Sequence, residues 1–215
     1  MPIPTFILRA TAAVVLLVVL LGGVAPVSDA QDFSAERRGL AASVGMGVSN
    51  AGLACKPRCQ ADRRTGPVFM ARGTANVAAQ FAVAGEVNAF RQSVPTLGGS
   101  GRWAFTWVTL TALWYPRSEQ DVYFKLGAGV ASVRADVSFA ADATSPPRDV
   151  GNMKSNHLGL VVGIGRDFRL TDNIAITAYA DFLTMTRATA YIASTDSGAR
   201  FTADLVNLGL ALTIF

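Results

Sequence analysis

Little in this sequence invites a chemical reading, and the shortages set the first bounds. The 215 residues hold one histidine and two cysteines. Without a second cysteine pair or a nearby histidine, two thiolates make a poor zinc site. Lys and Arg number 19 against 15 Asp and Glu, a net charge of +4. A balance this modest, with no clustered basic tract, gives no case for nucleic acid. Beyond the N-terminal region no continuous apolar run is long enough for a helix to span a bilayer. If such a chain enters a membrane it must do so as a closed barrel, since lipid offers nothing to satisfy unpaired backbone groups.

The N-terminus itself is a leader. Arg9 is the only charge before an apolar run from Ala12 to Val24, and Ser28-Asp29-Ala30 places small residues where a signal peptidase cuts. The run is shorter than the roughly 20 residues of a spanning helix. Residues 1–30 are therefore expected to be a cleaved signal peptide. Residues 31–38 follow as a short periplasmic segment, and residues 39–215 as one barrel domain.

Period-two alternation carries the fold assignment. The last stretch, Val206-Asn207-Leu208-Gly209-Leu210-Ala211-Leu212-Thr213-Ile214-Phe215, sets large apolar residues against small or polar ones. Seven more segments share the pattern, near residues 39–49, 67–77, 81–92, 103–115, 122–134, 157–170 and 174–186. The connections alternate long (50–66, 93–102, 135–156, 187–200) and short (78–80, 116–121, 171–173). Short turns on one side and long loops on the other form the rhythm of an eight-stranded, antiparallel, up-and-down transmembrane β-barrel. Terminal strands that pair with each other leave no edge.

The faces support a membrane wall. Leu40, Val44, Met46 and Val48 oppose Ala41, Ser43, Gly45 and Gly47. Phe81, Val83 and Val87 oppose Ala82, Ala84, Glu86 and Asn88, and Phe124, Leu126 and Val130 oppose Tyr123, Lys125 and Gly127. A water-facing surface would be rich in Lys and Glu. These polar faces are small, with an isolated charge each, as the interior of a narrow barrel requires. The fourth segment is ambiguous, because Trp103, Phe105 and Trp107 alternate with Ala104, Thr106 and Val108.

Three runs carry a resemblance: Gly66-Pro-Val-Phe-Met-Ala-Arg-Gly-Thr74 to Ala84-Gly-Glu-Val-Asn-Ala-Phe90, Tyr123-Phe-Lys-Leu-Gly-Ala-Gly-Val130, and Gly163-Ile-Gly-Arg-Asp-Phe-Arg-Leu-Thr-Asp-Asn-Ile-Ala-Ile-Thr-Ala-Tyr-Ala-Asp-Phe182. The chain resembles the small bacterial outer-membrane β-barrels of the opacity-protein-like group, similar in architecture to OmpX and the OmpA membrane domain. The resemblance implies residence in the bacterial outer membrane and insertion by the barrel-assembly machinery. It also implies contact with outer-membrane lipids and lipopolysaccharide. One departure stands out: the usual C-terminal assembly signal has a hydrophobic or aromatic residue third from the end, where this chain has Thr213.

The resemblance also raises lipid A-modifying enzymes, which use a histidine with a serine and an acid near the outer rim. His157 is the one candidate, with Ser155 beside it and Asp149 or Asp196 within conceivable reach. A solvated rim histidine is the plainer reading. Arg72, Glu86, Lys125 and Asp181 fall on polar faces at similar heights. Facing lipid, an Arg or Lys near the midplane would cost about 2–4 kcal/mol. The four are therefore expected to form one interior charge network. Lys56, Arg58, Arg63 and Arg64 make a basic patch expected at the cell exterior, suited to lipopolysaccharide phosphates.

The expectation is a monomeric, non-enzymatic envelope or surface-interaction barrel without cofactor or metal. Two alternatives stand beside it: the His157 enzyme, and a secreted soluble barrel holding a small apolar ligand. Two cysteines in an exported chain normally pair, so Cys55 and Cys59 are expected to be disulfide-bonded within one loop. The double variant Cys55→Ser/Cys59→Ser should then keep the melting temperature of the wild type in detergent. A large drop would make the bridge part of the barrel's own stability.

Overall fold

The computed structural model describes residues 39–56, 63–96, 99–117, 121–139, 148–192 and 195–215. The described residues form one antiparallel sheet. Its strands are β1 (Gly39–Lys56), β2 (Arg63–Ala78), β3 (Phe81–Thr96), β4 (Gly99–Trp114), β5 (Val122–Phe139), β6 (Arg148–Thr171), β7 (Ile174–Met185), β8 (Ala188–Ile192) and β9 (Thr195–Ile214). Sequential neighbours pair from β1 to β7, β7 pairs β9, and β9 pairs back to β1 from Ala42↔Ile214 to Lys56↔Arg200. The short β8 lies between β6 and β9, continuing the line of β7 after a break at Thr186–Arg187. β7 and β8 together make one stave, so the sheet closes as an eight-stave barrel. Residues 1–38, and with them the expected leader and periplasmic segment, lie outside the described residues.

The wall is inside-out relative to a soluble protein. Leu40, Val44, Met46, Val83, Leu110, Leu126, Val162, Leu210 and Ile214 are all exposed on the outer surface, while Arg72, Glu86, Asn88, Lys125, Asp181 and Asn207 are buried inside. Large apolar side chains in water would forfeit the hydrophobic gain that drives folding. In lipid the arrangement is the stable one. A secreted, water-soluble ligand carrier is therefore set aside. The fourth strand is settled as well: Trp103, Phe105 and Trp107 point into the barrel, with Trp107 and Phe105 wholly buried, and Val108 and Leu110 face out.

Small inward residues let so narrow a barrel close. A Cβ on inward Gly129 would collide with the carbonyl oxygen of Val108, and one on Gly47 with that of Leu208. Gly159 leaves the space that the Trp107 indole fills from over the intervening β5. Strands this coiled bring neighbouring backbones closer than a side chain tolerates.

The two ends differ. At the periplasmic end, tight turns at Ala79–Gln80 and Asp172–Asn173 close the hairpins, and the Phe215 N–H donates to the Asn173 carbonyl at 3.0 Å. At the other end the strands run further than alternation indicates. Residues 50–66 are not a long loop, since β1 continues to Lys56 and β2 resumes at Arg63. Lys154, expected in a loop, is paired with Arg134 in the β5–β6 ladder. Alternation marks only the part of each strand that faces lipid, whereas backbone pairing needs no apolar face and continues above it.

A closed barrel of this kind should resist detergent until boiled. Boiled and unboiled samples are expected to migrate differently on a cold detergent gel. Gly129→Val should reduce the fast-migrating folded species sharply, and unchanged folding of that variant would contradict the close approach of β4 and β5.

Candidate functional site

The barrel interior carries a belt of charge at mid-height. Lys125 on β5 donates from Nζ to Glu86 Oε1 and Oε2 on β3, at 2.7 and 2.8 Å, and to Asp181 Oδ2 on β7 at 2.7 Å. All three residues are at most 3% exposed. Their strands alternate around the wall, so the side chains meet only because the sheet has closed and each occupies an inward position. Asn88, two residues beyond Glu86 on the same face, donates to Glu86 Oε1 at 2.6 Å, and Asn207 on β9 donates across to Asn88 Oδ1 at 3.4 Å. Gly163, directly opposite Asp181 in the ladder, leaves the room that the aspartate oxygen occupies.

Of the four charges expected in one network, the structure brings Lys125, Glu86 and Asp181 into contact. Arg72 is buried and sits directly across the ladder from Glu86. Its guanidinium, however, donates to the Tyr123 hydroxyl at 2.7 Å and lies 5.0 Å from the centre of that ring. Below it, Ser43, Thr213, Thr177 and Asp167 form a chain of hydroxyl and carboxylate bonds of 2.6 to 2.9 Å. Thr213, the departure from the assembly signal, is therefore an interior residue bonded on both sides.

Above the belt the lumen turns greasy. Phe90, Phe105, Trp107, Leu53, Leu183, Phe201 and Leu205 form one buried cluster. Phe105 packs edge-on against Trp107 at 6.2 Å and tilted against Phe90 at 5.7 Å. The Trp107 indole N–H reaches the Thr184 carbonyl at 3.4 Å.

The remaining candidates are scattered. His157 is half-buried on β6, opposite Ala131. Ser155, two residues along, is buried. Among the described residues no carboxylate is hydrogen-bonded to His157, and no group of His, Cys, Asp and Glu is gathered to hold a metal. Arg63 donates to Asp204 at 2.7 Å and to the Asn50 carbonyl at 3.2 Å, strapping β2 over β1 to β9. Gly52 lies beneath this strap, where a side chain would collide with it. Arg64 is half-buried. Cys59 and Arg58 lie outside the described residues, as do the side chains of Cys55 and Lys56, whose backbones end β1.

An apolar outer wall, a charged and aromatic interior, and short turns at one end define a class: a small outer-membrane β-barrel. No protein-family model and no curated protein sequence matches the chain. Among solved structures it is similar to Ail, the attachment invasion locus protein of Yersinia pestis, in a complex with the heparin analogue sucrose octasulfate. That pair is 12% identical with a TM-score of 0.49, over 80% of this chain and 98% of the other. It is also similar to Neisserial surface protein A, at 12% identity and a TM-score of 0.49, over 82% and 99% of the two chains. A third is OprG of Pseudomonas aeruginosa, at 16% identity and a TM-score of 0.44, over 82% and 96%.

Removing Lys125 leaves two buried carboxylates unpaired, and breaking a buried pair typically costs about 3–5 kcal/mol. Lys125→Met should therefore lower stability strongly, while Arg117→Met, at an exposed site beyond β4, should be nearly silent. In Glu86→Gln/Lys125→Met the cost should fall short of the sum of the single costs, since the second change removes a charge already orphaned. Equal, small effects at Lys125 and Arg117 in equilibrium unfolding would place Lys125 in water.

Proposed function

We propose that the protein is a non-enzymatic, sealed barrel of the outer membrane, acting in envelope integrity or surface interaction through its extracellular end. The observation that carries this reading is the double closure of the lumen. The Glu86–Lys125–Asp181 belt crosses the middle, and the Phe90–Phe105–Trp107 cluster fills the space above it. A wide aqueous path needs neither, and an eight-stave barrel has little lumen left once its side chains are in place. The monomer needs no partner for closure, because β1 and β9 pair within one chain.

A catalytic role would centre on His157, as an enzyme that modifies lipid A at the outer rim. Its half-buried position beside Ser155 supports a rim residue, and among the described residues no acid orients the imidazole as the third member of such a nucleophilic site would.

Reconstituted in planar bilayers, the protein should give no steady conductance. Lipid A from cells carrying His157→Ala should match that from cells carrying the wild type in mass spectrometry. Stable channels would overturn the sealed reading, and a His157-dependent change in lipid A mass would make the protein an enzyme.

A further inference from the structure

The side chains of the charge belt form a ring with one open link. Asn207 on β9 donates to Asn88 Oδ1 on β3 at 3.4 Å, and Asn88 donates to Glu86 Oε1 at 2.6 Å. Lys125 then joins Glu86 to Asp181 Oδ2 on β7, both at 2.7 Å. Asp181 and Asn207 are ladder partners with their side chains on the inner face, and such directly opposed residues hold their Cβ atoms about 4.5–5.5 Å apart. Asp181 leans toward β6, its Oδ1 over Gly163, so the link to Asn207 stays open. Asp181 Oδ1 and Asn207 Oδ1 each have no hydrogen-bond partner among the described residues. The donors around the ring fix the amide orientations. An ionised Glu86 only accepts, so Asn88 turns its NH2 to the carboxylate and its oxygen to Asn207. Asn207 must meet that oxygen with its own NH2, which leaves Oδ1 at the open link.

Two further oxygens border the link. Ser49 on β1 is the partner of Asn207 on its other side, and its Oγ is likewise unpartnered. Tyr179, two residues from Asp181 on the same face, carries an unpartnered hydroxyl over Gly209. All four side chains are at most 4% exposed. Buried polar groups in native proteins have partners, and four neighbouring oxygens without one call for a shared partner. Two acceptors cannot bond each other, so the species between them must donate or be positive.

Charge selects among such species. At this level two carboxylates face a single ammonium. Arg72 gives its guanidinium to Tyr123, and Asp167, which accepts from Thr177, offsets it in the lower lumen. Arg169 lies over the Phe215 ring at the end of the barrel. The belt is therefore short of one positive charge, in a medium where an unmatched charge is costly. A water molecule would leave that charge unmatched, and a divalent ion would overshoot it. Carboxylate, amide and hydroxyl oxygens are the ligands of hard cations, and a set without His or Cys suits no soft metal. We infer that Asp181, Asn207, Ser49 and Tyr179 hold a monovalent alkali cation, sodium or potassium, at the centre of the barrel. The site goes beyond the sealed-barrel reading and does not depend on it.

The test refolds the full chain into detergent in sodium, potassium or choline chloride at one ionic strength, which holds screening constant. After desalting into choline chloride, elemental analysis should find a single sodium or potassium ion per wild-type barrel. Asp181→Asn, which keeps the shape and removes the charge, should retain roughly tenfold less. Asn207→Leu, which removes the amide oxygen, should also retain less, and Arg117→Met should retain the wild-type amount. The boiled-versus-unboiled gel shift confirms that each variant is folded. Where a belt variant gives no folded band, Ser49→Ala takes its place, since it removes an oxygen and little volume. The wild-type unfolding midpoint should lie several degrees higher in sodium or potassium chloride than in choline chloride, because an ion bound only by the folded state stabilises it. A wild-type barrel without a retained ion overturns the inference. So does equal retention by the folded variants, which would make the ion an adventitious ion only. Equal midpoints in the three salts overturn it too, placing a proton at the link if the midpoint moves with pH and a water molecule if it does not. A conducting barrel that retains the ion fails only the sealed reading, and a sealed barrel without it fails this inference alone.

Discussion

The structure depends on one constraint, that every backbone N–H and C=O inside the membrane must find its partner within the protein. The β1–β9 ladder meets it. That ladder runs from Ala42↔Ile214 to Lys56↔Arg200, so the first and last strands leave no edge within the lipid-facing wall. Closure then dictates the rest. It fixes which side of every strand faces inward, forces glycine where neighbouring backbones approach most closely, and confines most polar side chains of the lipid-facing wall to a narrow lumen.

The lumen answers in two ways. In its middle it holds full charges, and burial makes these tolerable only because Lys125 is shared by two carboxylates, one of which, Glu86, also accepts from Asn88. Higher up it abandons polarity and packs aromatic rings. The change occurs within a few residues of one strand: on β4, buried Thr109 and Thr111 lie below buried Phe105 and Trp107.

Much of this was legible in the sequence wherever the two faces of a strand differ in chemistry. Leu208, Leu210 and Leu212 against Asn207, Gly209 and Ala211 can be placed out and in without coordinates, and they lie so. The fourth strand could not be oriented, because its upper interior is as apolar as its exterior and Trp107 offers no contrast to Val108. The strand ends were hidden for a related reason: outside the lipid, pairing continues without any face to write in the sequence. Side-chain partnerships were less legible still. Glu86, Lys125 and Asp181 could be assigned to one layer, yet the tilt that carries Arg72 to Tyr123 depends on the register of four strands.

The Lys125 tripod also bears on how the barrel is built. Its three members come from β3, β5 and β7, so no hairpin contains a complete set. A nascent sheet that has reached β5 can join Lys125 to Glu86, while Asp181 gains its partner only when β7 curls over. Until then a charge faces either lipid or an unfinished lumen, and each such state is expensive. Insertion thereby acquires a late electrostatic step: the Lys125–Asp181 bridge can form only once β7 has been added, so a sheet that stops short of β7 is disfavoured by its electrostatics as well as by its bare edge.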